Sequence, residues 1–190
     1  THELSEYIGR EFGFGDFVAT DSQGRETARA HDLQGAEEII ARLPANQIDK
    51  MRSKNYVSRW MLARGLFKEG TAIKNVTFEN AEVFREVAVK SIHEYRIKQS
   101  LGVVARFDPA TYNDTIWFSR FGEGSLGGKA RGLAFLNHIL YKHNLYDKWE
   151  DVRVMVPRTL VIATEYFDRF IRENGLQYVI NSDISDAEEI

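Results

Sequence analysis

Residues 13–29 alternate apolar and polar side chains on either side of Asp21-Ser22-Gln23-Gly24. This period of two predicts a β-hairpin with Gly24 at its turn. Asp32 stands where an N-cap would open a helix over LQGAEEIIARL, and Pro44 follows closely. NYVSRWMLARGLFKEG predicts the next helix, with Tyr56, Trp60, Ala63 and Phe67 at helical spacing and Gly70 as its stop. A longer helix is predicted over roughly 80–101, with Asn80 as N-cap and Gly102 as the stop signal. Phe84, Val87, Ser91, Ile92 and Tyr95 share its apolar face, while Lys90, Glu94, Arg96 and Lys98 are more polar. VVARFDPATYNDT has no period and reads as irregular, with a turn at Asp108-Pro109. A domain boundary is expected near residue 110.

Beyond that boundary the pattern changes. TIWFSRF predicts a strand, and SLGGKARGLAFLNHILYKHNL a helix that buries Leu126, Ala130, Leu133, Leu136 or Asn137, and Leu140. VRVMVP and TLVIAT read as short buried strands around Pro157. Thr164 is expected to cap a helix over TEYFDRFIREN that Gly175 ends, and QYVI reads as a further strand. The fold class is therefore α+β. Residues 1–110 form a hairpin-plus-helices region, a linker or regulatory part, and 111–190 a mixed α/β segment.

Composition changes this picture little. The 190 residues carry a net charge of −3, which points to neither a nucleic-acid groove nor a polybasic membrane patch. The basic residues of RSKNYVSRWMLARG (Arg52, Lys54, Arg59, Arg64) stand among acidic neighbours and suit a solvated helix face. No apolar run reaches the roughly 18 residues of a membrane span. There is no cysteine, so disulfides and thiolate metal sites drop out, as fits a cytoplasmic protein. The chain begins at Thr1 without an initiator Met and ends in SDISDAEEI, where Ser185 and Glu188 make the pattern of a capping box. A fragment of a longer protein is expected.

The candidate chemistry lies in FGEGSLGGKARG, residues 121–132, between a predicted strand and a predicted helix. A P-loop needs Gly six residues before its Lys and a hydroxyl after it. Glu123 and Ala130 occupy those positions, so that motif is rejected. G-x-G-x-x-G matches at Gly122, Gly124 and Gly127, and Arg158, after the VRVMVP segment, would suit the 2′-phosphate of NADP. A third reading is a glycine-lined helix N-terminus. Here Ser125 is the N-cap, the amides of Gly127, Gly128 and Lys129 point outward, and Lys129 adds a charge beside the same anion. The bland reading is a tight strand-to-helix turn with Lys129 snorkelling. The residues alone leave these last three open.

GSLGGKARGLAFLNHIL followed by VRVMVPRTLVIATEYFDRFIRENGL resembles the start of the ATP-binding domain of phosphoenolpyruvate synthase and pyruvate phosphate dikinase, an ATP-grasp fold. Gly127-Gly128-Lys129 match its first element and Val156-Pro157 its second. Thr164, Tyr166, Phe167 and Asn174-Gly175-Leu176 match the third. SKNYVSRWMLARG and SIHEYRIKQSLGVVARFDP resemble the region that, in a long bacterial form of this family, lies between a receiver-like domain and the ATP-grasp domain. The resemblance covers roughly residues 50–180.

It implies an ATP-dependent phosphotransferase, pyruvate, water dikinase-like, in which Lys129 contacts ATP phosphates. Gly127, Gly128 and Ser125 would shape that cradle, with Arg131 a secondary contact because it faces away from Lys129. ATP and Mg2+ would serve the full-length protein, with pyruvate and phosphoenolpyruvate handled by other domains and a receiver-like domain possible upstream. The family's later Arg segment, acidic metal ligands and Thr-x-Gly-Gly-x-x-x-His stretch are not in this sequence. None of His2, His31, His93, His138 and His143 has that context. The fragment alone is expected to be inactive. The alternative is a regulatory or interaction module with a degenerate nucleotide site.

Overall fold

The computed structural model describes residues 15–111 and 113–181. The chain divides into two compact units, Thr1–Gln99 and Ser100–Ile190. The architecture is mixed α+β.

In the first unit β1 (Phe17–Thr20) and β2 (Glu26–Ala30) form the expected antiparallel hairpin. Asp21 Oδ1 accepts the amides of Gln23 and Arg25, each at 2.9 Å. Gly24 closes the turn with φ +82°, a conformation that costs glycine nothing. Helix α1 (Leu33–Arg42) opens on Asp32, whose Oδ1 accepts the Gly35 amide at 2.7 Å. Asp32→Ala leaves that amide without its partner. It is expected to lower stability by about 1 kcal/mol in urea unfolding. A loss under about 0.3 kcal/mol would show that the cap contributes nothing.

Helix α2 (Ala45–Ser53) was not anticipated from the sequence. The helix predicted over NYVSRWMLARGLFKEG is two helices, α3 (Tyr56–Ala63) and α4 (Phe67–Lys74). Gly65, at φ +80°, ends α3. The Gly65 amide reaches Leu62 O at 3.1 Å and the Leu66 amide reaches Met61 O at 3.0 Å, the paired bonds of a Schellman C-terminus. Gly70 is therefore no stop. It sits inside α4, where a Cβ would lie 2.9 Å from Leu62 Cγ and 3.0 Å from Ser58 O, so it lets α3 and α4 approach closely. The break also takes Phe67 off the α3 stripe and leaves it 69% exposed.

Helix α5 (Ala81–Ser100) starts at Asn80, whose Oδ1 accepts the amides of Glu82 and Val83 at 3.0 Å. Its buried stripe is Phe84, Ala88, Ile92 and Arg96, one step round from the predicted face, so Val87 is exposed. Arg96, expected on the polar side, is buried because α1 meets its charge. Its Nη1 lies 2.5 Å from Glu37 Oε2 and its Nη2 3.0 Å from Gln34 Oε1. His93 Nδ1 stands 2.9 Å from Glu37 Oε1. A buried ion survives only with such partners. Trp60, Met61, Phe84 and Ile92 share one core with Phe17 and Ile40, so the Trp60 helix and α5 both bury their apolar faces in this unit's own core.

In the second unit β3 (Val104–Arg106), β4 (Phe118–Phe121) and β5 (Thr159–Ile162) form a parallel sheet in that order. Strand β3 lies inside the stretch read as irregular. It is too short to show a period, and its pairing with β4 decides it. A 3-10 turn covers Pro109–Thr111. Helix α6 (Gly127–Lys142) joins β4 to β5, and α7 (Thr164–Glu173) and α8 (Gln177–Asn181) follow.

Other expectations need correction. VRVMVP is not a strand. Only Val156 of it is buried, and its carbonyl accepts the Trp117 indole N–H at 2.6 Å. QYVI is helical, not a strand. On α6 the buried positions are Ala134 and Asn137, while Leu133 and Leu136 are exposed. Tyr146 holds Asn137 by donating its hydroxyl to Oδ1. Gly175 does end α7, at φ +65°. The Ser185–Glu188 pattern lies outside the described residues. Among those residues no helix is long and apolar enough to cross a membrane.

Candidate functional site

Because β3, β4 and β5 run parallel, Arg106, Phe121 and Ile162 end on one edge of the sheet. Ligands of open parallel sheets gather outside this carboxyl edge. Two of the connections that leave it carry the candidate residues. The glycine loop, residues 122–126, runs from β4 into α6, and β5 passes through Ala163 directly into α7.

The loop and the start of α7 interlock. Thr164 donates its amide to Ser125 O at 3.0 Å and accepts the Ser125 amide on Oγ1 at 3.0 Å. Glu165 donates to Glu123 O at 3.2 Å and accepts the Glu123 amide on Oε2 at 2.6 Å. The two first glycines belong to this contact. A Cβ on Gly122 would lie 2.5 Å from Tyr166 Cε2, and one on Gly124 would lie 2.6 Å from Thr164 Oγ1. Tyr166 in turn stacks on Phe121, with centroids 5.1 Å apart. The room at Gly124 that a dinucleotide pyrophosphate requires is taken by Thr164. Arg158, proposed for a 2′-phosphate, donates to Asp114 O at 2.5 Å and lies over the Trp117 ring.

The later glycines differ. A Cβ on Gly127 or Gly128 would meet nothing within 4 Å. Gly127 adopts φ +74° and gives its amide to Ser125 Oγ at 3.2 Å. Two expectations change here. Leu126, not Ser125, holds the N-cap position of α6, and the Gly127 amide is already engaged. The amides of Gly128 and Lys129 are first-turn donors with no intrahelical acceptor. Lys129 is exposed, and among the described residues no side chain pairs with it. Arg131 is also exposed, further along α6.

Thr164 is not the cap of α7 either. Ala163 holds that position without a side-chain bond, which frees the Thr164 hydroxyl for the loop. Glu123 is committed to two arginines. Its Oε2 is 2.7 Å from Arg120 Nη1 and its Oε1 is 3.8 Å from Arg106 Nη1. The Arg120 hydrogen bond, reinforced by the charges of both arginines, holds the Glu123 carboxyl below its usual range.

The site therefore offers amide donors, open backbone and one uncommitted ammonium, a donor set that suits phosphate oxygens. It does not offer a metal cage. Among the described residues no three His, Cys, Asp or Glu side chains stand together to hold a metal ion, and Glu123 and Glu165 are already bonded. His138 is half-buried and His143 exposed. The glycine loop borders neither a hollow of about 560 Å3 beside Arg29, His31, Glu38 and Arg42 nor one of about 520 Å3 at Asp147–Arg153.

Sequence reasoning missed Thr164, Glu165 and Tyr166 as partners of the loop. They bond it from 39 and 42 residues away, beyond any local pattern. The available signal was Gly-x-Gly itself, since glycines without a ligand to receive imply a close neighbour. No family model, no curated protein and no solved structure matches this chain.

Proposed function

We propose that this chain contributes part of the ATP phosphate site of a phosphotransferase resembling phosphoenolpyruvate synthase. In this reading β4, the glycine loop, α6 and β5 open an ATP-grasp domain. Gly128 and Lys129 receive phosphate oxygens, while Gly127 and Ser125 set the approach. One observation carries the reading: two helix N-termini meet at the carboxyl edge of the sheet, and only one is free. The first amides of α7 go to Ser125 O and Glu123 O. Those of Gly128 and Lys129 on α6 have no intrahelical acceptor, a Cβ on Gly128 would meet nothing within 4 Å, and the Lys129 ammonium beside them is exposed. A helix N-terminus of that kind stabilises an anion through aligned amides and dipole, and the lysine adds a charge-assisted bond.

Magnesium, pyruvate and phosphoenolpyruvate enter this reading through the sequence resemblance alone. The chain's own residues bind and orient phosphate, and no metal ligand is assigned to them.

Lys129→Ala in the full-length protein is expected to raise the MgATP dissociation constant about tenfold or more, the loss of one hydrogen bond to a charged group. Isothermal titration calorimetry reads it directly. An unchanged constant would remove Lys129 from the site. The second reading, an interaction module, is favoured by α7, which buries none of its side chains and exposes Phe167 and Phe170. Wild-type protein that takes up no MgATP would favour it.

A further inference from the structure

We propose that Thr164 and Glu165 are positioning residues of the phosphate site: they hold the glycine loop in the one shape that presents Gly128 and Lys129 to a nucleoside triphosphate. The proposal rests on the phosphate reading above and adds to it the device that sets the loop.

The bonds make a relay. Thr164 and Ser125 are joined twice, amide to carbonyl and amide to hydroxyl, and Glu165 and Glu123 are joined twice in the same manner. Each pair fixes both backbone groups of one loop residue. Ser125, held on its amide and its carbonyl, then turns its own hydroxyl to the Gly127 amide at 3.2 Å. Gly127 sits at φ +74° immediately before Gly128 and Lys129. A shift of Thr164 is thus passed through Ser125 to the first turn of α6.

Packing does not call for this interlock. Glu123, Gly124, Ser125, Thr164 and Glu165 are all exposed. Hydrogen bonds on a solvated loop replace bonds to water, so each adds little net stability. They do restrict the loop, and restriction before binding is what raises affinity for a ligand held by backbone amides. Gly122 and Gly124 serve the same end, since any side chain there would push Tyr166 and Thr164 away.

The test compares Thr164→Val with Thr164→Ser in the full-length protein. Val keeps the shape and removes the acceptor of the Ser125 amide. Ser keeps the hydroxyl. MgATP affinity is read by calorimetry, and exchange of the Glu123 and Ser125 amides by deuterium uptake without nucleotide. Thr164→Val is expected to weaken MgATP about fivefold to tenfold and to speed Ser125 exchange, whereas Thr164→Ser stays within about twofold of wild type on both. Glu165→Ala is expected to behave as Val does, and Glu165→Gln, which keeps an acceptor, as Ser does. Should Thr164→Val unfold α7, the Glu165 pair carries the comparison.

Wild-type affinity in Thr164→Val and Glu165→Ala, with Lys129→Ala still weak, overturns the positioning role and leaves the phosphate reading standing. Equal weakening in Thr164→Val and Thr164→Ser overturns it too, because the hydroxyl would then be irrelevant. Wild-type protein that takes up no MgATP removes the phosphate reading and this proposal with it.

Discussion

Trp60→Ala is expected to lower the unfolding free energy by about 3–5 kcal/mol, the usual range for deleting a buried aromatic. Trp60 is fully buried, so the substitution leaves a cavity that its neighbours cannot all collapse into. Its ring meets Phe17 edge-on with centroids 5.2 Å apart, and the Arg64 guanidinium sits 3.7 Å from the ring centroid. Its indole N–H donates to Gly15 O at 3.2 Å, a carbonyl that also accepts from Arg64 Nη2, so that hydrogen bond is lost as well. A domain has only about 5–15 kcal/mol in total, so this one change removes a large share. Urea unfolding followed by far-ultraviolet circular dichroism gives the number. A loss under about 1 kcal/mol would show that Trp60 is not the centre of the first unit's core.

Gly122→Ala is expected to lower stability by about 2–5 kcal/mol. Two terms add. Gly122 sits at φ +84°, where an L-residue loses about 1–2 kcal/mol. The new methyl would also stand 2.5 Å from the Tyr166 ring, and relieving such an overlap costs about 1–3 kcal/mol. The ring can escape only by giving up its stack on Phe121. Gly128→Ala is the control in the same stretch. It lies inside α6 with open space around it, and alanine is the better helix former by up to about 1 kcal/mol. It should be neutral or stabilising. If the two variants unfold at the same urea concentration, the close approach of α7 to the loop is wrong.

How much of this was legible can be argued from particular residues. The hairpin turn at Gly24, the Asp32 and Asn80 caps and the stops at Gly102 and Gly175 were readable because each rests on residues within a few positions. Gly70 was misread because a glycine that ends a helix and one that lets two helices touch look alike in a sequence. The difference lies in Leu62 and Ser58 on the neighbouring helix. Val152–Pro157 was misread as a strand because its apolar run is strand-like, yet among the described residues no strand pairs with it. Strand β3 was missed for the converse reason: three residues show no period, but Phe118, Ser119 and Arg120 are there to receive it. Arg96 was placed on the polar side because nothing near it in sequence announces Glu37.

The sequence by itself determined the hairpin, the caps at Asp32 and Asn80, the α+β class and the position of a glycine-rich strand-to-helix turn ending in Lys129. These follow from short-range sterics, capping and hydrophobic period. Only the tertiary structure separated the four glycines of that turn. Gly122 and Gly124 are small because Tyr166 and Thr164 press on them, whereas Gly127 and Gly128 face open space. The hydrogen-bonded pairs that hold the two stretches together are 39 and 42 residues apart. They exist because β4 and β5 lie side by side and in register, with Phe121 opposite Ile162, which brings the two connections after them to one edge of the sheet.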